Sequence, residues 1–491
     1  MAKYIVVGAG PGGLASALLL QHQGHEVHVY EKDRVVGGRS KVLKHGAYTF
    51  SAGPSFLMYI EMLDLLFDRV QLPWRKDLNP FRLDPLYELK LPQFSWKPSG
   101  QPNVLAQQVE DLFQEGKAYT RFMAREAKAF DAVQQVMLKP FPSKRHFLNT
   151  RVLNFGRFVS LKDSVSDKLN ARFHHPMLKH SMTFQAKYLG MSPQETPDFF
   201  TVLTYLEHQR GLYHVKGGIE NIIRYMARQF KERGGHLHLN SPVQHIIVSH
   251  KQAEGVKTVH GVERADGVIV NADFPELINR LLPEKVQHSY TKESLKALDF
   301  SVSAFMVYLG LDTQFDTVEH HTMVFSDDYE SYTKGLIENQ ALPQDPTIYL
   351  YNPTKHDATY APKGHSSWML LAPVPNTLAE IPWEQKKEAY ADKLIKRLAR
   401  KLNLPNLSKH IVTKVIATPN DWQHDYRVHL GSVFSLKHQF HQLLHKRPHN
   451  HYNDVDQLYL VGGSTHPGSG LSTIVQSAII AADLIAKKSA K

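Results

Sequence analysis

Two apolar stretches open the chain, one over residues 4–7 and one over 14–20, and no Asp, Glu, Lys or Arg falls between Lys3 and Glu26. Between them Gly8, Gly10, Gly12 and Gly13 gather around Pro11. A membrane span wants about 20 consecutive apolar residues, and a secretory leader wants a short apolar block ahead of a small-residue cleavage site. That glycine cluster would weaken either helix at its centre. A strand, a tight turn and a helix accommodate it. The pattern predicts a buried parallel strand over Tyr4 to Val7, a helix over Leu14 to Gln21, and a second strand in "EVHVYE". Further on, "SFLMYIEMLDLLFDRV" sets Glu61, Asp64 and Asp68 on one helical face against a wide apolar arc. That is the pattern of a core helix, and one able to line the entrance for an apolar ligand.

The glycines are spaced Gly8-x-Gly10-x-x-Gly13. In that spacing the first glycine makes the turn, the second admits a pyrophosphate, and the third lets helix and strand pack closely. The following helix offers unpaired N–H groups and a partial positive charge to phosphate. Glu31 ends the second strand eighteen residues past Gly13, where a carboxylate accepts hydrogen bonds from a ribose. The opening therefore reads as a dinucleotide site. Just beyond it, Gly37 and Gly38 allow a close backbone approach, and Arg39 can pair with a phosphate through two N–H groups. An NAD site does not need that second glycine pair.

At 491 residues the chain exceeds what one core usually serves, so two domains are expected. No other run is long enough to span a bilayer, and with the first stretch assigned to the nucleotide fold no leader remains, so the expected location is the cytoplasmic side. Cysteine is absent, which excludes disulfides, thiolate metal sites and a cysteinyl link to a cofactor. The net charge of +11 is uneven. Between Lys139 and Lys187 ten Lys or Arg stand against Asp163 and Asp167, interleaved with Phe141, Phe147, Phe155, Phe158, Phe173 and Phe184. Basic residues mixed with aromatics suit an anionic membrane surface, at about 1 kcal/mol per charge near the headgroups. A solvated basic face explains the charge alone equally well. No nucleic-acid module motif accompanies it, so no nucleic-acid partner is expected.

Nucleotide-type signals recur in three places: at the start, from "YHVKGGIENIIRYMARQF" to "ADGVIVNADFP", and in "QLYLVGGSTHPGSGLSTIVQSAIIAADLIAKK". One domain assembled from 1–70, 216–284 and 426–491 is expected, with substrate-binding insertions at 71–215 and 285–425. The last segment adds Gly462, Gly463, Gly468 and Gly470 before an apolar helix.

GxGxxG, a distal Glu and GGR in this order resemble the FAD-binding amine oxidase and desaturase superfamily. The stretches "AGPSFLM", "YLEHQRGLYHVKGG", "SAFMVYLGLD", "TPNDW", "GSVFSL", "RPHN" and "GGSTHPGSG" narrow the resemblance, over nearly the whole chain, to the bacterial phytoene and diapophytoene (dehydrosqualene) desaturases. The resemblance implies an α/β fold: a Rossmann-like FAD-binding domain of the amine oxidase type, built from discontinuous segments, with an inserted α+β substrate domain. It implies FAD held by Gly8, Gly10, Pro11, Gly12, Gly13, Glu31, Lys32, Gly37, Gly38, Arg39, Gly53, Pro54, Val243, Gly462, Gly463, Gly470 and Leu471. Two positions depart from the pattern. The family commonly carries an acid two residues before its Gly-Pro, where this chain has Ser51, and the turn after Gly462 reads Gly-Ser-Thr without an acidic residue.

The implied reaction removes two hydrogens from adjacent carbons of a 15-cis polyene, with a hydride taken at flavin N5 and a proton lost from the neighbouring carbon. Reoxidation by a quinone or by oxygen completes the expected cycle. A long-chain isoprenoid hydrocarbon loses about 0.8 kcal/mol per CH₂ exposed to water, so it has to enter from a lipid surface, and a peripheral membrane protein is expected. For the proton acceptor the first candidate is Glu207, just before the Gly217–Gly218 turn, and the second is His466 beside the C-terminal glycines. As alternatives, Glu207 fits a helix-surface residue paired with a cation, and His466 a hydrogen-bonded turn residue. His441, His445 and His449 repeat at helical spacing, but Pro448 interrupts that helix, and no metal site is expected. Alternatives on the same fold are a carotenoid oxygenase, a polyene isomerase, or a non-enzymatic isoprenoid escort protein of the Rab GDP-dissociation inhibitor kind.

Overall fold

The computed structural model describes residues 1–337 and 340–489. Strand Lys3–Val7 sits at the centre of a five-stranded parallel sheet in the order His236–His238, Glu26–Tyr30, Lys3–Val7, Gly267–Val270, Leu458–Leu460. Those strands come from three stretches far apart in sequence. Both faces of the sheet are covered, which is why its strands read as continuous apolar runs. Tyr4 and Val6 join a core beneath helices Pro11–His22, Gly218–Glu232 and Leu471–Ser489, while Ile5 and Val7 join a second core beneath an antiparallel sheet of Val243–Ser249, Gln252–Thr258 and Gly261–Arg264. The first helix begins at Pro11, three residues before the expected Leu14. Proline at the first helical position is preorganised for this start and loses no N–H that the helix needs.

A second sheet of seven strands carries the inserted regions, in the order Ile411–Ala417, Ser303–Leu311, Ser366–Val374, Ile348–Tyr351, His321–Val324, Glu88–Lys90, Ser95–Trp96. The last two strands belong to the earlier insertion and continue the sheet formed by the later one. Phe305, Val307, Leu309 and Leu311 face helix Trp383–Lys401. Met306, Tyr308, Met323, Tyr349, Tyr351 and Met369 face the core shared with the parallel sheet. An inner face of Met and Tyr is apolar yet adaptable in shape. The helix read over 55–70 is shorter than its pattern: Glu61–Arg69 is helical, while Leu57–Met58 pairs with Leu212–His214.

The earlier insertion is mainly helical and is pinned by a buried ionic cluster. Lys168 Nζ lies 3.0 Å from Glu126 Oε1 and 3.9 Å from Asp198 Oδ2, and the Thr201 hydroxyl donates to Glu126 Oε2 at 2.8 Å. All three charged residues are buried. Burial pushes the Asp198 carboxyl up to about 6 against the pull of Lys168, so one cation serves two acids. Among the described residues no helix is long and apolar enough to cross a membrane.

Removing the cation leaves two buried carboxyls facing each other. Lys168→Met is therefore expected to cost about 3–5 kcal/mol of stability, read as a lower denaturation midpoint. A midpoint equal to wild type would show that the cluster does not hold this insertion together.

Candidate functional site

Three segments converge at the carboxyl ends of the adjacent strands Lys3–Val7, Gly267–Val270 and Leu458–Leu460, where open parallel sheets bind their ligands. The first is the turn Gly8–Gly13. Gly8 has φ +98° and donates its N–H to the Tyr30 carbonyl at 2.8 Å. A Cβ on Gly13 would stand 2.0 Å from the Gly8 carbonyl oxygen, so helix and strand could not close around any larger residue. Cβ atoms on Gly10 and Gly12 would meet the Asn271 side chain at 2.7 and 2.6 Å. The same Gly12 position faces Ile474 and the Gly462 nitrogen, at 3.0 and 3.5 Å, so all three segments meet there.

Glu31 is buried at this junction. Ala9 N–H donates to its Oε2 at 2.8 Å and Asp33 N–H to its Oε1 at 2.9 Å. Burial raises its pKa against those two amide bonds. Gly37 N–H donates to the Ala9 carbonyl at 2.9 Å, and a Cβ on Gly38 would lie 3.8 Å from Gly10 Cα, so the two glycine turns stand against each other. Gly53 backs onto the Arg39 carbonyl, 3.2 Å from where its Cβ would be, and Pro54 is exposed beside it. Gly462 has φ +117° and donates its N–H to Ser477 Oγ at 3.0 Å. Gly463 and Gly470 follow on the same turn, and Leu471 opens the last helix.

Other sequence-predicted residues lie around the junction with different partners. Arg39 donates to the Val433 carbonyl at 2.9 Å and to Asp273 Oδ1 at 3.2 Å, clamping the middle segment to the last. Lys32 turns to Asp33 and the Asp425 carbonyl. Val243 begins its strand two residues after Ser241, whose N–H donates to the Glu31 carbonyl at 2.8 Å.

The two candidate proton acceptors are both buried. Glu207 lies in a wide helical turn over Leu206–Arg210, and its Oε2 accepts from Gln185 Nε2 at 2.7 Å and Tyr87 OH at 3.3 Å. The neighbouring His208 is bracketed by Tyr87 OH at 2.8 Å and Tyr119 OH at 3.0 Å, and burial pushes its pKa down to about 3. Those partners belong to the earlier insertion, and at 0% exposure Glu207 is an interior residue where the alternative placed it on a helix surface. His466 Nε2 lies 3.0 Å from the Lys139 carbonyl, and burial lowers its pKa to about 4. His441 and His445 lie on separate short turns, and His441 pairs with Asp299 at 2.8 Å. Among the described residues no group of three His, Asp or Glu is placed to hold a metal ion.

Sequence reading missed three participants. Asn271 follows the strand Gly267–Val270 and fills the space over Gly10 and Gly12; its place at a strand end was the available signal. Asp273 gathers Arg39 and the N–H of His429. Arg447 is fully buried and donates to the carbonyls of Gly463 at 2.9 Å and Thr465 at 3.1 Å, bracing the C-terminal turn from behind.

The model of the flavin containing amine oxidoreductases matches residues 11–486. The chain belongs to this flavin-containing family. Relatives share its whole length. A 4,4'-diapophytoene desaturase (4,4'-diapolycopene-forming) of Methylomonas sp is 38% identical over 99% of this chain and 95% of its own. An all-trans-zeta-carotene desaturase of Myxococcus xanthus is 33% identical over 99% and 94%. Among solved structures, a putrescine oxidase triple mutant superposes with a TM-score of 0.64 at 16% identity over 99% of both chains, and a cyclohexylamine oxidase of Brevibacterium oxydans with 0.60 at 15% identity over 100% of both. At such identities these two establish the fold of a flavin amine oxidoreductase and nothing narrower. The glycine cradle and the helix N-terminus fit the pyrophosphate of a flavin dinucleotide in this family.

Gly12→Val overpacks the cradle against Asn271 and Ile474. Overpacking of about 1–3 kcal/mol corresponds to roughly a fivefold to 150-fold loss of cofactor affinity. The purified variant is expected to keep wild-type far-UV circular dichroism and to lose most of its flavin absorbance; full flavin content would contradict the cradle.

Proposed function

We propose that this chain is a FAD-dependent carotenoid desaturase, introducing conjugated double bonds into a 15-cis polyene hydrocarbon such as 4,4'-diapophytoene or phytoene. The observation that carries the reading is the end-to-end likeness to the Methylomonas 4,4'-diapophytoene desaturase, on a chain whose seven-stranded sheet turns Met and Tyr towards the shared core.

A bound FAD supplies a two-electron acceptor for hydride leaving an allylic carbon. This chain's residues supply the rest. Gly10–Gly13 and the helix beginning at Pro11 hold the pyrophosphate, and Glu31 the ribose. Gly53–Pro54 and the Gly462–Gly470 turn, braced by Arg447, hold the ring end. The Met and Tyr face excludes water and orients the polyene. Loss of a proton from the adjacent carbon completes the double bond, and Glu207 takes that proton, with His466, whose Nε2 faces the Lys139 carbonyl, as the second candidate. A quinone or oxygen accepts the electrons. The absence of cysteine rules out a cysteinyl flavin.

Peripheral attachment to a lipid surface is the second part of the proposal. Phe141, Phe155, Phe173 and Phe184 are buried and Phe158 is half-buried, so those aromatics build the interior; the side chains of Phe147 and Lys187 lie outside the described residues. Leucines stand out instead. Leu148, Leu153 and Leu161 are 83, 63 and 79% exposed, beside exposed Lys144, Arg145, Arg151, Arg157 and Lys162. Apolar tips within a basic collar suit insertion among anionic headgroups.

Expression beside a C30 or a C40 polyene synthase tests the reaction. The expected result is a longer-wavelength polyene in the extract with one of them, and strongly reduced yield with Glu207→Gln, as for a positioned base worth roughly 10²-fold. An oxygenated product, or an unchanged chromophore, would replace the desaturase reading with an oxygenase or a binding protein. In flotation with anionic vesicles, a variant with Leu148, Leu153 and Leu161 changed to Ser should lose most binding, and one that floats like wild type removes the leucine anchor.

A further inference from the structure

Strand Tyr48–Ser51 runs into Gly53–Pro54, and Ser51, buried at 2% exposure, donates its hydroxyl to the Pro54 carbonyl at 3.3 Å. Against this strand lies the first turn of helix Gly218–Glu232, where Glu220 folds back over the glycine pair that starts the helix. A Cβ on Gly218 would stand 2.3 Å from Glu220 Oε2 and 2.1 Å from the Tyr360 hydroxyl. Gly218 is thus glycine to make room for a carboxyl and a phenol. Glu220 is 3% exposed. Tyr360 OH donates to its Oε2 at 3.3 Å, while Oε1 has no hydrogen-bond partner among the described residues.

We propose that Glu220 is a positioning residue of the flavin site, a buried carboxyl acting through Ser51 on the Gly53–Pro54 turn. Ser51 meets Glu220 on one side and the Pro54 carbonyl on the other. The inference rests on the flavin reading of the site.

The groups facing Glu220 come from four other elements and its own. They are Ser51 on its strand, Tyr308 and Tyr351 on two strands of the large sheet, Tyr360 on the turn Ala358–Tyr360, and Arg224 one helical turn along. Only Arg224 carries a positive charge. Burial therefore dominates and pushes Glu220 up to about 7, while the nearby Ser51 and Tyr360 hydroxyls and Arg224 pull the other way. On the outer side of the same turn Asp357 behaves oppositely. Although buried, it takes the N–H of Gly217 at 2.5 Å and approaches His214 at 3.1 Å, and these bonds with those from Thr359 hold it well below the usual carboxylate range. One acid is a fixed anion that shapes the turn. The other is held by burial near 7, close to neutrality.

A purely structural Glu220, capping its own helix, would leave the flavin's properties independent of its protonation. A titrating one would not, because a negative charge appearing beside the turn disfavours the reduced, electron-rich ring. The test is to follow flavin absorbance and midpoint potential from pH 5.5 to 9 in wild type, Glu220→Gln, Tyr360→Phe and the double variant Ser51→Asp with Glu220→Gln. Wild type should inflect near pH 7, Glu220→Gln should keep its flavin and lose the inflection, and Tyr360→Phe should move it to higher pH. The double variant should regain an inflection. Bound flavin with no inflection in wild type, or the same inflection in wild type and Glu220→Gln, overturns the inference while leaving the flavin reading intact. Should Glu220→Gln fail to fold, Tyr360→Phe decides: an unmoved inflection overturns the inference. A wild-type protein without flavin overturns both.

Discussion

The molecule depends on the space left where three strand ends meet. Gly10, Gly12 and Gly13 carry no Cβ, and each missing atom is the room another segment uses: Asn271 over the first two, the Gly8 carbonyl against the third. Helix Pro11–His22, the middle segment and the last glycine turn can therefore share one point. That point fixes the parallel sheet, and the sheet fixes where the inserted regions stand. Arg39 bound to Asp273 and Val433, and Arg447 bound to Gly463 and Thr465, secure the same junction with charged donors.

Much of this was legible in residue order. Glycine spacing, an acid at the end of the second strand and an apolar helix after each turn are local signals, because each arises from the steric needs of one strand-turn-helix unit. The three-segment sheet could be anticipated for the same reason, since each segment repeats that unit. The signals stop at contacts between segments. Nothing in the neighbourhood of Arg447 in sequence indicates that it lies under Gly463, and Lys168 gives no sign that it will meet Glu126 and Asp198.

The basic region between Lys139 and Lys187 shows where pattern misleads. Aromatics among charges suggested a surface of rings, yet Phe155 and Phe173 are core residues and leucines stand exposed instead. Short helices bury one face and present the other, so composition gives the residues without saying which face they occupy. Glu207 illustrates the same limit in reverse. A Glu in a polar stretch reads as exposed, but the wide turn at Leu206–Arg210 carries it inward to Tyr87 and Gln185.

The central claim is that the glycine junction holds a flavin which takes electrons directly from a polyene. Mixing the flavin-loaded protein anaerobically with vesicles carrying the 15-cis polyene, in a single turnover, examines it without any other enzyme. The account predicts bleaching of the flavin band at the same rate as a more conjugated hydrocarbon appears, one new double bond for each flavin reduced. A new chromophore formed while the flavin stays oxidised, or binding of the polyene with no change in either spectrum, would contradict it.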